Sequence, residues 1–141
     1  MFNTIVVAVD GSDYANRALA AACELSQIHH SALHIVHVNN AHEVFISVGA
    51  SSVAIRPEDY AKAGETILEQ ALEVVKASDG EAVTHQLDGN FGQAVVDKAE
   101  NLSADLIVVG SKGHSDLAGM MLGSVSHKIT NLAKCSCLIV R

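Results

Sequence analysis

Aromatic residues are scarce in this sequence, since tryptophan is absent and phenylalanine and tyrosine together make up only 4% of the chain. A flavodoxin-like redox protein uses aromatic rings to stack on the isoalloxazine, so this composition argues against that function. Apolar residues as a whole are abundant, at 49% of the 141 positions. This content excludes a disordered chain, and the length suits one domain, so we expect a single domain over residues 1–141.

Basic residues are also few, because nine lysines and arginines stand against sixteen acidic residues and leave a net charge of −7. They form no cluster of the kind that binds nucleic-acid phosphates, so we expect no nucleic-acid partner. The sequence has no apolar run long enough to cross a bilayer, and its start lacks the features of a signal peptide. We therefore expect a cytoplasmic protein without membrane insertion, in which any anionic ligand is held by local geometry.

The cysteines, Cys23, Cys135 and Cys137, are odd in number, which argues against a disulfide framework. Cys135 and Cys137 resemble half of a metal site, but the sequence has no Cys-x-x-Cys pair to complete it. We expect these cysteines to lie in the core. The histidines that we expect at the surface or in loops, rather than as metal ligands, are His29, His30, His37 and His42.

Short apolar runs alternate with segments of helical periodicity along the chain. The β-branched run Thr4–Val9 is typical of a strand buried on both faces, and Ser12 or Asp13 after it suits a helix cap. Residues 39–56 lack clear periodicity, and we hypothesise a lid or a partner surface there. The further strands are predicted at Ala32–Val38, Glu81–Leu87, Asp105–Gly110 and Cys137–Val140, and the further helices from Pro57, around Val95–Leu102 and around Val125–Ala133.

This alternation predicts an α/β fold, namely a single-domain, doubly wound, five-stranded parallel sheet in the order 3-2-1-4-5 with helices on both faces. Strands one and four then lie side by side where the winding reverses, and ligands of open α/β sheets bind beyond the carboxyl ends of the strands at that point. A response-regulator receiver domain shares the alternation. It needs an acidic pair after strand one and a lysine after strand five, whereas here Asp10 alone ends strand one and the sequence stops at Arg141.

Glycines at positions 110, 113, 119 and 123 follow the fourth predicted strand. Glycine lets backbone N–H groups approach a phosphate, and the N-terminus of the next helix adds a partial positive charge. Lys112, Ser124 and Ser126 would add a cation and two hydroxyl donors. The spacing fits neither the P-loop nor the G-x-G-x-x-G dinucleotide fingerprint. From the residues alone, the loop is either a tight connection or an anion site.

Four stretches of the sequence carry a family resemblance, namely Ile5–Ser12, His34–Val38, Ala104–Ser115 and Gly123–Arg141. In addition, Gly110, Gly113, Gly123 and Ser124 have the spacing G-x2-G-x9-G-S. Together these features resemble the nucleotide-binding members of the universal stress protein family, whose ATP-binding signature is G-x2-G-x9-G-[ST].

The resemblance implies that ATP binds between the loops that follow strands one and four. Asp10 would lie beside the ribose and is the candidate ligand for a metal such as Mg²⁺, and Val38 would meet the adenine. Asp10 has an alternative role as the cap of the turn that precedes Gly11. The implied nucleotide-binding residues are Ala8, Val9, Asp10, Val38, Gly110, Ser111, Lys112, Gly113, Gly123, Ser124, Val125 and Ser126.

The sequence lacks an identifiable general base or arginine finger for phosphoryl transfer, so we expect an ATP-binding stress-response regulator rather than an enzyme with fast turnover. The alternative is a slow ATP hydrolase or another adenine-nucleotide enzyme. The last predicted strand is apolar and lies at a sheet edge without a charge or a proline to protect it. We therefore expect a homodimer through Leu138, Ile139 and Val140, which the resemblance also implies, with stacked dimers as a higher assembly and an unidentified protein target such as a transporter.

Overall fold

A computed structural model describes residues 1–39, 45–48, 51–54, 57–114, 119 and 121–141 of the protein. Its elements alternate along the chain as the apolar pattern predicts, apart from one additional strand pair. The strands are β1 (Thr4–Ala8), β2 (Ala32–Asn39), β3 (Phe45–Val48), β4 (Ser51–Ala54), β5 (Val83–Asp88), β6 (Leu106–Gly110) and β7 (Ser136–Val140). The helices are α1 (Asp13–His29), α2 (Pro57–Ala77), α3 (Phe91–Asn101) and α4 (Ser124–Leu132).

The main sheet is parallel and has the strand order β5-β2-β1-β6-β7. Counted along the chain without β3 and β4, this is the predicted order 3-2-1-4-5, so the predicted fold class is confirmed. β1 lies at the centre, where Ile5 pairs with Leu33 of β2 on one side and with Leu106 of β6 on the other. The winding reverses between β1 and β6, and the two loops that follow these strands therefore meet at one edge of the sheet.

An apolar core covers both faces of the sheet. Strand residues alternate between the faces, so that Ile5 and Val7 pack with α1 and α2 while Val6 packs with α3 and α4. All three β1 residues are fully buried, as expected for a central parallel strand that has helices on both sides. Cys23 is buried in the first of these layers, whereas Cys135 and Cys137 are half-buried and pack against the second. All three are free thiols.

Local sequence signals explain where the helices begin. Ser12 is the N-cap of α1 and its Oγ accepts a hydrogen bond from the N–H of Ala15 at 3.2 Å, which selects Ser12 from the two predicted caps. Asn90 is the N-cap of α3, and its Oδ1 accepts a hydrogen bond from the N–H of Gln93 at 3.4 Å. Pro57 is the first residue of α2, where its missing N–H has no consequence.

The structure departs from the sequence prediction mainly within residues 39–56. β2 extends to Asn39, and β3 and β4 form a separate antiparallel pair in a stretch for which no strand was predicted. The remainder of that stretch, residues 40–44, 49–50 and 55–56, lies outside the described residues. None of the helices in the described part of the chain combines the length and the apolar character that a membrane crossing requires.

Candidate functional site

A cleft of about 500 Å³ opens at the carboxyl ends of β1, β2 and β6. This is the switch point of the sheet, where a ligand site is expected in a doubly wound fold, and the volume is in the usual range for small-molecule sites. The walls are largely apolar, with a few polar groups at the loops. The lining residues are Ala8, Val9, Asp10, Ala15, Val36, His37, Val38, Phe91, Val95, Val109, Gly110, Lys112, Gly113, His114, Val125 and Ser126.

Asp10 holds the loop after β1 to the loop after β6. Its Oδ1 accepts the N–H of Ser12 at 2.9 Å, and its Oδ2 faces the N–H of His114 at 3.4 Å. Gly11, which lies between Asp10 and Ser12 in the chain, has a φ angle of +82°, in the left-handed region that favours glycine. The Asp10 carboxylate therefore caps this turn, which is the alternative role that the sequence analysis gave it. Each oxygen still has a second lone pair with which to accept a bond from a ligand.

A set of hydrogen bonds braces the glycine-rich loop against α4 and β7. The carbonyl oxygen of Ser111 accepts the N–H of Gly123 at 2.6 Å and the buried hydroxyl of Ser126 at 3.1 Å. The N–H of Ser111 in turn donates to the carbonyl oxygen of Val140 at 2.7 Å. The first turn of α4 is thus fixed relative to the sheet, and the hydroxyl proton of Ser126 is used inside the protein.

Gly110 has a structural function that the ligand signature does not reveal. A Cβ atom at this position would lie 2.7 Å from the carbonyl carbon of Tyr14 and 2.9 Å from its oxygen. The first turn of α1 therefore packs directly on the end of β6, which only glycine permits. We conclude that the packing of α1 on β6 by itself requires glycine at this position.

The structure brings most of the predicted site residues into the cleft. Those that line it are Ala8, Val9, Asp10, Val38, Gly110, Lys112, Gly113, Val125 and Ser126. Ser111, Gly123 and Ser124 do not. Ser111 belongs to the loop after β6 but is itself buried. Gly123 is the N-cap of α4, and Ser124 is the exposed first residue of that helix.

His37 is the main site residue that sequence reasoning missed. The expectation of a surface or loop position is wrong, because His37 lies in β2, is only 7% exposed and lines the cleft. The signal was the alternation of β2, in which Leu33, Ile35 and His37 share one face and the first two belong to the core. Phe91, Val95 and His114 were missed as well. The two α3 residues reach the cleft only through tertiary packing.

Among the described lining residues, the lysine cation lies at the β6 side of the cleft and the Asp10 carboxylate lies on the loop after β1. Lys112 supplies this cation, and Val125 and Ser126 of the first turn of α4 line the same wall, where the helix dipole favours an anion. Gly123 as N-cap has no side chain with which to bond that turn. Among the described residues, no group of three or more His, Cys, Asp or Glu side chains is arranged to hold a metal ion. Asp10, the residue predicted as a possible metal ligand, lines the cleft.

The fold and the cleft place the protein among the doubly wound α/β proteins, with a cleft at the switch point of the sheet. The sequence model of the universal stress protein family matches residues 1–141, and the chain belongs to that family. A similar curated protein is universal stress protein YxiE from Bacillus subtilis, which is 38% identical over 149 aligned positions covering all of both chains.

Two similar solved structures contain adenine nucleotides. One is a universal stress protein in complex with cAMP, at 30% identity and a TM-score of 0.76, with 99% of this chain and 97% of that chain covered. The other is the universal stress protein from Archaeoglobus fulgidus in complex with dAMP, at 25% identity and a TM-score of 0.73, with 98% and 97% covered.

Proposed function

We propose that the protein binds an adenine nucleotide in the cleft between the loops after β1 and β6, and acts as a nucleotide-responsive regulator in a stress response. The observation that carries the proposal is the position of the cleft at the switch point, with Asp10 on one loop and Lys112 on the other. Family membership and the two nucleotide complexes of similar proteins support it.

The distribution of polar and apolar walls suggests how the nucleotide lies. Its phosphates belong at the β6 side, beside Lys112 and the first turn of α4, because only there does the described lining offer a permanent positive charge. The opposite wall, over β2 and α3, is apolar and suits the flat base; it consists of Val36, Val38, Phe91 and Val95. Asp10 then lies between the two ends, within reach of a ribose hydroxyl.

ATP is the proposed ligand within this class, with Mg²⁺ carried on its phosphates. The donor set suits a magnesium ion that is bound mainly by phosphate, since Mg²⁺ commonly takes one or two protein carboxylates and keeps several waters. Asp10 is the carboxylate that would contact it.

We propose regulation rather than fast catalysis, because the described lining contains no arginine and no carboxylate besides Asp10. A slow ATP hydrolase is the second candidate. Steady-state assay of phosphate release separates the two, and we expect turnover well below about 1 s⁻¹, the low end for ordinary enzymes. A rate at or above that value would contradict the regulatory proposal.

Partners follow from the edge strand and from the regulatory proposal. We propose a homodimer through β7, by Leu138, Ile139 and Val140, and a protein target, such as a transporter, that responds to the nucleotide state. Cytoplasmic location remains the expectation that accompanies these proposals.

Analysis of co-purifying small molecules tests the nucleotide proposal. Protein purified without added nucleotide is denatured, and the released compounds are identified by mass spectrometry and quantified against protein concentration. We expect an adenine nucleotide at a substantial fraction of one equivalent. A different class of compound at that stoichiometry, such as a flavin or a fatty acid, would refute the proposal.

A further inference from the structure

Helices α3 and α4 approach each other closely at Gly92. A Cβ atom added to this residue would lie 2.9 Å from Cβ and 3.0 Å from Cγ and Cδ of Lys128. Carbon atoms that are not bonded to each other pack at about 3.5–4.0 Å, so a side chain at position 92 does not fit at this separation. Gly92 is buried in the contact, and the close approach of the two helices therefore depends on glycine.

The side chain of Lys128 lies along the first turn of α3. Its stem packs on Gly92, and its Nζ donates a hydrogen bond to Oδ1 of Asn90, the N-cap of α3, at 2.8 Å. The beginning of α3 is thus held against α4. Because Cβ of Lys128 is fixed to the α4 backbone, a change of rotamer moves the outer stem but does not relieve the contact at Cβ.

The residues around this contact line the cleft. On α3, Phe91 directly precedes Gly92 and Val95 follows it by one turn, and on α4, Val125 lies one turn before Lys128. Phe91, Val95 and Val125 all pack in the apolar layer on the same face of the sheet. The spacing between the α3 wall and the α4 wall of the cleft therefore depends on how closely the helices approach at Gly92.

The α4 wall is anchored independently of α3. The hydroxyl of Ser126, which lines the cleft, and the N–H of Gly123 both donate to the carbonyl oxygen of Ser111. These bonds tie the first turn of α4 to the loop after β6. A change at the Gly92 contact consequently displaces α3 relative to an α4 helix that the loop holds, and it alters the width of the apolar end of the cleft.

We infer that Gly92 is a specificity-determining residue, because the close approach of α3 to α4 limits the apolar end of the cleft to a base of ordinary purine size. This inference rests on the proposed nucleotide function, which assigns the base to the wall that includes Phe91 and Val95. A side chain at position 92 forces the helices apart, since packed interiors yield to added volume by shifts of the backbone. Selection against larger bases is then relaxed.

The test compares AMP with etheno-AMP, in which a third ring is fused to the adenine, by calorimetric titration of nucleotide-free protein. We expect the wild type to bind AMP about tenfold more tightly, a common effect of overfilling a packed site. We expect Gly92→Ala to reduce this ratio to within about threefold. The substitution adds no polar group and removes none, so the change in the ratio reports on the size of the base and not on its hydrogen bonds.

The exchange variant Gly92→Ala/Lys128→Gly is the matched control, because it moves the small residue from α3 to α4 and again allows the close approach. We expect it to restore most of the wild-type ratio. Lys128→Gly alone removes the bond to Asn90 without adding bulk, and it should keep the wild-type ratio. Unfolding curves establish that each variant is folded.

Equal affinity of the wild type for the two ligands overturns the inference without reference to any variant. An unchanged ratio in a folded Gly92→Ala protein also overturns it, as does an exchange variant that behaves like Gly92→Ala. Failure of the wild type to bind any adenine nucleotide is a separate result, which refutes the proposed function itself.

Discussion

At the scale of single residues, Gly110 shows how a glycine in a binding signature also serves the fold. We expect Gly110→Ala to destabilise the ligand-free protein by about 1–3 kcal/mol, because its Cβ would collide with backbone atoms of Tyr14 that belong to a helix. Urea unfolding without nucleotide measures this. The exposed substitution Glu69→Ala should remain within about 0.5 kcal/mol of wild type.

The opposite pattern would contradict this explanation. A Gly110→Ala protein as stable as wild type, with only nucleotide binding impaired, would mean that the glycine is required by the ligand and not by the contact between α1 and β6.

His37 illustrates the limit of residue-level sequence reasoning in the site. The positions of Asp10, Lys112 and Gly113 at the cleft follow from the chain order of strands and loops, which the apolar pattern already predicts. His37 was misplaced because its residue type suggested the surface, although its place in the β2 alternation indicated burial. The contact of Gly110 with Tyr14 could not be predicted, since it depends on how closely α1 approaches β6.

At the scale of elements, β2 and β5 are joined by a histidine pair as well as by backbone hydrogen bonds. Nδ1 of His34 and Nε2 of His85 are 2.9 Å apart, and such a contact requires at least one unprotonated ring. Partial burial is the main cause that lowers the pKa of both rings, and the positive charge of Lys98 is the second. His34 lowers the pKa of His85 further.

The sign of the pH effect follows from these lowered pKa values. In the unfolded chain these histidines become protonated near their ordinary pKa of 6.5. In the folded protein they are still largely neutral at that pH, because their pKa values are lowered. Their contribution to stability is therefore full above pH 6.5 and is lost as the pH falls from there through the lowered pKa values of the folded protein. We expect the urea midpoint of the wild type to fall between pH 7.5 and pH 5.

His85→Gln provides the comparison, because glutamine keeps a polar atom opposite His34 but does not titrate. We expect its midpoint to fall less over the same pH range. Parallel losses in the two proteins would assign the pH dependence to other groups.

The elements themselves differ in how far the sequence predicted them. β1 and β6 consist of buried β-branched runs that carry a strong signal, and both were found within a residue of their bounds. β3 and β4 were not predicted, because each has only four residues and they pair with each other rather than with the main sheet. Strands this short leave no room for a periodic pattern.

At the scale of the whole molecule, β7 is an edge strand that pairs with β6 on one side, and no strand of the described residues covers its other side. Leu138, Ile139 and Val140 are half-buried there. Because an unprotected apolar edge tends to find a second strand, we expect a two-fold dimer at micromolar concentration. Light scattering should give about twice the chain mass of 14.8 kDa.

Two proline variants at opposite edges test which strand forms the dimer. Ile139→Pro removes a backbone donor from β7 and should give monomer or insoluble protein, whereas Val83→Pro at the first residue of the other edge strand, β5, should leave the dimer intact. A monomeric wild type, or a dimer that only Val83→Pro disrupts, would contradict the β7 interface.

The central claim is that the cleft at the switch point binds an adenine nucleotide, and isothermal titration calorimetry of ATP into nucleotide-stripped, folded protein tests it most directly. We expect one site per chain with a dissociation constant near micromolar, which corresponds to about −8 kcal/mol. Gly113→Val, which places a branched side chain in the cleft wall, should abolish the heat in a protein that remains folded. Absence of heat at millimolar ATP in the wild type, or undiminished binding to Gly113→Val, would contradict the account.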